Sequence, residues 1–238
     1  MRILAGELVA FLGDSIAQHL VAVSDSMETQ TDGLPPVGAS VIVERHEPRG
    51  WTVTLANRIH LAYPQRRIRY INAGIGGHSS RQMLARFEMD ILAHRPQWLL
   101  LSAGVVEVRR TYQPDRAQDR VPVDEYIANL TAMTTRALNS NSQVILLEPT
   151  PHLHPVTDGP PEVTLEDVNN LTRQYATAMR QVAQDMNVGF VPLFEIFLDM
   201  ERRLAGEVSL YADEVHLGPV GDLLYSQLVY QYLVAETE

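Results

Sequence analysis

The chain has 238 residues, no cysteine and a formal net charge of −10 at pH 7. All 19 of its basic residues are arginine. The lack of cysteine excludes a thiolate nucleophile, disulfide bonds and a thiolate zinc site. The lack of lysine excludes a Schiff-base lysine and a phosphate-loop lysine. A nucleophile in this chain must therefore be an oxygen or a histidine.

The acidic balance argues against a nucleic-acid partner or an anionic membrane surface, because a basic face usually meets both. The arginine pairs Arg66-Arg67 and Arg109-Arg110 are expected to be solvated or ion-paired. No apolar run approaches the ~20 residues that span a bilayer. Met1 to Glu7 make a poor signal peptide because a glutamate precedes the apolar stretch. These patterns predict a cytoplasmic protein without a membrane span.

Five short apolar segments have the pattern of strands that are buried on both faces. They are Leu8–Leu12, Ile68–Asn72, Trp98–Ser102, Val144–Leu147 and Gly189–Leu193. Four of them are followed within two residues by glycine or proline, which is typical of a strand end.

Helical patterns lie between and after these segments, with apolar residues spaced by three or four. The three clearest sets are Val168, Leu171, Tyr175, Met179, Val182 and Met186; Ile127, Leu130, Met133 and Ala137; and Val220, Leu224 and Leu228. Alternating strands and helices predict a three-layer α/β/α fold with a mostly parallel five-stranded sheet. At this length we expect residues 1–238 to form one domain.

Two polar stretches interrupt the alternation. Residues 22–50 are rich in serine, aspartate, glycine and proline and are predicted to form an inserted loop that either covers the site or makes a surface excursion. The stretch from Gln113 to Pro122 follows the third predicted strand and is expected to border the same cleft. Because ligands of such folds bind beyond the carboxyl ends of the strands, both stretches stand near the expected site.

Two segments at opposite ends of the chain carry the chemistry. Gly13-Asp14-Ser15 follows the first predicted strand, and Asp213-Glu214-Val215-His216 precedes the last predicted helix. A serine, a histidine and an aspartate are the parts of a nucleophile, base and orienter relay. Each segment alone has a structural alternative, since Gly-Asp-Ser is common in turns and helix caps.

Two further segments complete a pattern. Asn72-Ala73-Gly74-Ile75-Gly76-Gly77 follows the second predicted strand, and Gly104-Val105-Val106-Glu107 follows the third. With these four blocks in order, the chain resembles the SGNH (GDSL) hydrolase family over nearly its whole length. The resemblance implies a flavodoxin-like α/β fold.

The resemblance also implies roles for individual residues. Ser15 would be the nucleophile, His216 the general base and Asp213 the group that orients the imidazole. The backbone N–H groups of Ser15 and Gly74 would form the oxyanion hole. Asp14, Val106 and Glu107 would line the site, and the substrate would be a small-molecule carboxylic ester, such as an acyl or acetyl ester of a sugar or lipid.

One position departs from the family pattern. Val106 stands where the family has an asparagine whose side chain donates to the oxyanion, and Glu107 replaces an aspartate. Loss of one such donor typically costs about 10²–10³ in rate. We therefore expect either a serine esterase of reduced or altered activity or, as the alternative, a catalytically impaired ligand-binding protein. Val106→Asn is expected to raise ester hydrolysis unless Glu107 or a water already supplies the donor.

No cofactor or metal is expected. The glycines of residues 74–77 lack the spacing of a nucleotide-binding loop. His152 and His154 follow the fourth strand and are natural metal ligands, but no further ligands stand at a diagnostic spacing. These two histidines are instead candidates for the edge of the cleft.

Overall fold

A parallel sheet of five strands organises the protein. The computed structural model describes residues 1–18, 50–204 and 206–235. The strands are β1 (Leu8–Gly13), β2 (Arg69–Gly74), β3 (Trp98–Ser102), β4 (Gln143–Leu147) and β5 (Gly189–Val191). They lie in the order β2-β1-β3-β4-β5 and all neighbours pair in parallel. The predicted fold class and the five predicted strands are confirmed.

Seven helices lie in the described part of the chain. They are α1 (Trp51–Ala62), α2 (Ser80–Asp90), α3 (Val105–Thr111), α4 (Val123–Asn139), α5 (Leu165–Asp185), α6 (Phe194–Leu204) and α7 (Pro219–Val234). Short 3₁₀ turns occupy Pro64–Arg66, Leu92–His94 and Pro114–Asp119. None of these helices is long and apolar enough to cross a lipid bilayer. The predicted inserted loop at 22–50 lies outside the described residues, except for Gly50.

The sheet carries a hydrophobic core on each face, because successive residues of a strand point to opposite sides. On one face Leu99 and Leu101 of β3 belong to the core that is shared with α2, α4 and α5. On the other face Trp98 and Leu100 belong to the core that is shared with α1, α6 and α7. All six residues of β1 are buried, as expected for a central strand that is covered on both sides.

Two predicted helix faces are shifted in the structure. In α4, Leu130, Met133 and Ala137 are fully buried as predicted, but Ile127 is 38% exposed and Tyr126 is buried instead. In α7 the buried positions include Gly221, Tyr225, Val229 and Leu233, one residue after the predicted Val220, Leu224 and Leu228. Because α7 is apolar on several sides, its periodicity does not single out the face that packs against α1.

Two hydrogen-bond arrangements fix the starts of α5 and α6. Thr164 accepts a hydrogen bond from Asp167 N–H at 3.1 Å, and the Asp167 carboxylate accepts one from Thr164 N–H at 2.9 Å, which forms a capping box on α5. Glu148, 2% exposed, follows β4 and accepts the N–H groups of Leu193 at 2.7 Å and Phe194 at 2.9 Å. These two N–H groups stand at the start of α6.

Replacing Glu148 by alanine is expected to lower the free energy of unfolding by about 2–4 kcal/mol, because two buried N–H groups lose their acceptor. Urea denaturation measures this loss. Glu195→Ala is the matched control, since Glu195 forms an exposed ion pair with Arg173 at 3.0 Å. The control is expected to lose less than about 1 kcal/mol. An equal loss in the two variants would contradict the capping role.

Candidate active site

The site lies at the carboxyl ends of β1 and β3, where the strand order reverses. The connection from β1 leads to β2 on one side of the pair, and the connection from β3 leads to β4 on the other. Such a switch point leaves a crevice beyond the strand ends, where ligands of open α/β sheets bind. Ser15 follows β1, and α3 follows β3 through Gly104.

A tight turn presents Ser15. Asp14 Oδ1 accepts the N–H of Ile16 at 2.9 Å, and Asp14 O accepts the N–H of Ala17 at 3.2 Å. The Asp14 side chain is 1% exposed. Burial raises the pKa of Asp14 to about 7, although the hydrogen bond from Ile16 acts in the opposite direction. Asp14 therefore stabilises the turn through these hydrogen bonds. It lines neither cavity beside Ser15, although it was predicted to line the site.

The structure brings Ser15, His216 and Asp213 together in a hydrogen-bonded line. His216 Nε2 lies 2.8 Å from Ser15 Oγ, and His216 Nδ1 lies 2.7 Å from Asp213 Oδ2. A carboxylate beside Nδ1 favours the tautomer in which Nδ1 carries the proton. Nε2 is then free to accept the proton of the Ser15 hydroxyl.

Asp213 accepts three hydrogen bonds. Its Oδ1 accepts the N–H groups of Val215 at 2.9 Å and His216 at 2.8 Å, and its Oδ2 faces the imidazole. Partial burial acts to raise the pKa of Asp213, but these hydrogen bonds outweigh it and hold the pKa below its usual value. The carboxylate is thus ionised and fixed in position.

One contact within the loop and two from neighbouring elements hold the loop that carries His216. Ala212 N–H donates to His216 O at 2.8 Å, and Leu153 N–H donates to Glu214 O at 2.8 Å. Arg109 of α3 forms an ion pair with Glu214 at 2.6 Å. The loop is therefore tied both to the segment after β4 and to the helix after β3.

Ser15 and His216 line two cavities. The larger, of about 580 Å³, is lined by Ser15, Gln18, Ala212, Asp213, His216, Leu217, Gly218, Pro219 and Asp222. The smaller, of about 280 Å³, is lined by Ser15, Gly77, Val105, Val106, Arg109, Arg110, Gln113, Val215 and His216. A reacting group attached to Ser15 therefore has room on both sides.

The structure does not support Gly74 as the predicted oxyanion donor. Its N–H donates to Asn72 Oδ1 at 2.9 Å, and it lines neither cavity. A Cβ at this position would lie 2.6 Å from the backbone of Ala17 and Gln18, so glycine serves close packing here. Gly77 is the glycine of this block that reaches the smaller cavity, with φ of +74°. In the described part of the chain, the N–H groups of Gly77 and Ser15 have no acceptor.

Of the two substituted positions of the third block, only Val106 reaches the site. Val106 lines the smaller cavity. Glu107 is fully buried and lines neither cavity, because its carboxylate accepts the N–H groups of Ser80 at 2.5 Å and Gly104 at 3.1 Å. Burial raises the pKa of Glu107. Both of its oxygens are thus committed to joining the starts of α2 and α3.

Two arginines and a glutamine line the smaller cavity. From the sequence the arginines had no predicted role in the site, whereas Gln113 begins the stretch that was expected to border the cleft. Arg109 is ion-paired as expected, with Glu214 at 2.6 Å and Asp158 at 3.4 Å. Arg110 instead contacts Gln113 and Gly77 O, the latter at 3.5 Å. Arg109 and Arg110 stand four residues, about one helical turn, after Val105 and Val106 of the third block, and this spacing was the available signal.

The two histidines after β4 do not form a shared site. His152 is buried and its Nδ1 faces Thr172 Oγ1 at 3.4 Å, whereas His154 is exposed. Burial lowers the pKa of His152 to about 4. Among the described residues, no group of three or more histidine or acidic side chains is arranged to hold a metal ion.

Comparison with known proteins places this site in a family. A model of the GDSL-like Lipase/Acylhydrolase family matches residues 11–223. An acetylxylan esterase of Geobacillus stearothermophilus is 26% identical over 95% of this chain and 94% of its own. The human isoamyl acetate-hydrolyzing esterase 1 homolog is 25% identical over 80% of this chain and 77% of its own.

A solved structure shows the same fold. A catalytic mutant of Axe2, an acetylxylan esterase of Geobacillus stearothermophilus in which a histidine is replaced by alanine, superposes with a TM-score of 0.80 at 25% identity. The match covers 99% of this chain and 98% of the other. The family match extends over most of the chain and includes all the segments that build the site. The chain therefore belongs to the GDSL-like lipase/acylhydrolase family.

Proposed function

We propose that this ester hydrolase removes acetyl groups from hydroxylated compounds, carbohydrates foremost, through an acyl intermediate on Ser15. The observation that carries the proposal is the line of hydrogen bonds from Ser15 Oγ to His216 Nε2 at 2.8 Å and from His216 Nδ1 to Asp213 Oδ2 at 2.7 Å. This arrangement suits removal of the serine proton during attack on an ester.

The relatives support acetyl as the acyl group. One is an acetylxylan esterase and the other an isoamyl acetate-hydrolyzing esterase, so their names share the acetyl group and differ in the alcohol. Three solved Axe2 structures are catalytic mutants in which a serine, an aspartate or a histidine is replaced by alanine. These are the residue types that meet in this site.

The two cavities suggest how the ester lies. Val105, Val106 and Val215 give the smaller cavity apolar lining, which suits the methyl group of an acetyl ester. The larger cavity, of about 580 Å³, has room for the alcohol part of the substrate. This assignment puts the ester carbonyl beside the N–H groups of Ser15 and Gly77, which we propose as oxyanion donors in place of the Ser15 and Gly74 pair.

The proposed reaction has two halves. Ser15 Oγ bonds to the carbonyl carbon while its proton passes to His216 Nε2, and the tetrahedral intermediate then expels the alcohol, which takes that proton. A water molecule next attacks the acyl-serine, again losing its proton to His216, and acetic acid leaves as Ser15 regains its proton. Asp213 remains ionised and stabilises the imidazolium formed in both halves.

Ser15→Ala is expected to lower kcat on p-nitrophenyl acetate and on acetylated xylo-oligosaccharides by at least about 10⁴-fold, because the nucleophile is lost. Wild-type protein should form a one-to-one adduct with a serine-directed organophosphonate, visible by mass spectrometry and absent in the variant. Ser140→Ala, at an exposed helix end, is the control. Tight ester binding without turnover or adduct in the wild type would favour the ligand-binding alternative.

Asp213→Asn is expected to lower kcat by about 10⁴-fold with a small change in KM, since an amide favours the wrong imidazole tautomer. Steady-state kinetics on p-nitrophenyl acetate measure both constants. Asp115→Asn, which changes an exposed aspartate of a 3₁₀ turn, is the control. A loss confined to KM would contradict the orienting role.

Asp14 gives the protein a pH-dependent stability. Its pKa is about 7 in the folded protein against 3.8 for an ordinary aspartate. Between these values the folded state keeps a proton that the unfolded chain has released, so stability falls as the pH rises, by about 1.4 kcal/mol per pH unit, and levels off above pH 7.

Asp14→Asn is expected to remove this fall. Urea denaturation of the wild type and the variant at pH 4, 5.5, 7 and 8 measures the difference. The variant should gain stability relative to the wild type as the pH rises to 7. A difference between the two proteins that stays constant over this range would show that Asp14 is ionised throughout.

A further inference from the structure

The valine at position 106 lines the smaller cavity but has no side-chain hydrogen-bond donor. Val106 and Arg110 stand four residues apart on α3, so they share one face of this helix. Both line the cavity that contains Ser15, Gly77 and His216. The charged side chain one turn further along the helix thus faces the space that a donor at position 106 would serve.

The surroundings of Arg110 leave its charge available. Arg110 Nη2 lies 3.5 Å from Gly77 O, and Nη1 donates to Gln113 Oε1. In the described part of the chain, no carboxylate lies within ion-pair distance of Arg110. Arg109 differs, since Glu214 and Asp158 occupy its guanidinium. Partial burial lowers the pKa of Arg110, yet a guanidinium stays charged at any working pH.

We propose that Arg110 is a catalytic residue that donates a hydrogen bond to the oxyanion and replaces the donor that Val106 does not supply. The inference rests on the proposed acyl-serine reaction. It identifies the third oxyanion donor of this chain, after the backbone N–H groups of Ser15 and Gly77.

The proposed role of Arg110 depends on the negative charge that develops on the carbonyl oxygen during the reaction. When Ser15 Oγ bonds to the carbonyl carbon, the C=O π bond breaks and its electron pair moves to the oxygen, while the serine proton passes to His216. A guanidinium N–H interacts more strongly with this oxyanion than with the neutral carbonyl. When the oxyanion collapses, the C=O bond re-forms and the alcohol leaves with the proton from His216. Arg110 therefore stabilises the transition state more than the bound ester.

Another role for an unpaired arginine in this cavity is recognition of an anionic group on the substrate. The two roles differ in the kinetic constant, kcat or KM, that loss of Arg110 would change. A donor to the oxyanion changes kcat on a neutral ester, whereas a group that binds an anionic substituent changes KM and only for charged esters.

The first test compares Arg110→Met with Arg110→Lys on p-nitrophenyl acetate, a neutral ester. Methionine matches the unbranched stem of arginine as far as Nε but has no donor. We expect kcat to fall about 10²-fold in Arg110→Met with KM within about threefold of the wild type, and a smaller fall in Arg110→Lys. Arg136→Met is the charge-matched control. Arg136 is exposed near the end of α4. This end of α4 leads to the start of β4 and therefore lies at the amino ends of the strands, away from the site.

The second test restores a donor at the neighbouring position. Val106→Asn should raise kcat of the Arg110→Met enzyme by at least about tenfold and that of the wild type by much less, because one oxyanion position is being filled. Inhibition by a small boronic acid, whose tetrahedral adduct mimics the oxyanion, should weaken and recover in parallel. Thermal unfolding of each variant checks that it is folded.

An unchanged kcat in a folded Arg110→Met enzyme overturns the inference, as does a change confined to KM. An equal gain from Val106→Asn in the two backgrounds also overturns it. These outcomes are distinct from a failure of the proposed function, which turnover by Ser15→Ala would show. A low kcat in Arg110→Met with rescue by Val106→Asn supports the inference.

Discussion

The parallel pairing of β1 with β3 is the constraint on which the site depends. In this register Phe11 lies beside Leu100 and Leu12 beside Leu101, so the two strands end at one level of the sheet. Their connections leave towards opposite sides, and the space between them becomes the crevice. The two cores fix the pairing, because neighbouring residues of the same strand are buried on opposite faces. Sheet hydrogen bonds and core packing thus place Ser15 beside α3, and the local contacts of the site only refine this placement.

The sequence predicted the strands well and the helix faces less well, for a physical reason. A strand that is buried on both sides is apolar at every position, so β3 can be recognised from Trp98–Ser102 alone. Periodicity in a helix shows which residues are apolar, but it does not show which of them meets the sheet. Tyr126 is buried in α4 while Ile127 is 38% exposed, because the ring of Tyr126 packs edge-on against Tyr175 of α5. That choice depends on a partner 49 residues away in the sequence.

The same distinction explains what the sequence revealed of the site. Asp213 and His216 are three residues apart and interact within one loop, so their spacing alone indicates their relation. The choice among the glycines of residues 74–77 depends on contacts that the spacing does not contain. Gly74 packs against the backbone of Ala17 and Gln18, whereas Gly77 reaches the cavity through a left-handed backbone conformation. Glu107 and Arg110 likewise lie on different faces of α3. Glu107 faces the start of α2, and Arg110 faces the smaller cavity.

The hydrogen bond between His216 and Ser15 joins residues that are 201 positions apart, and this separation has a consequence for folding. Loop closure over such a distance is an entropic cost that the chain meets only when the segments around both ends have docked on the sheet. A compact intermediate with most of its secondary structure would therefore have no assembled relay. Enzymatic turnover in this protein reports completion of the whole tertiary structure, and it is a stricter measure of the native state than helix or strand content.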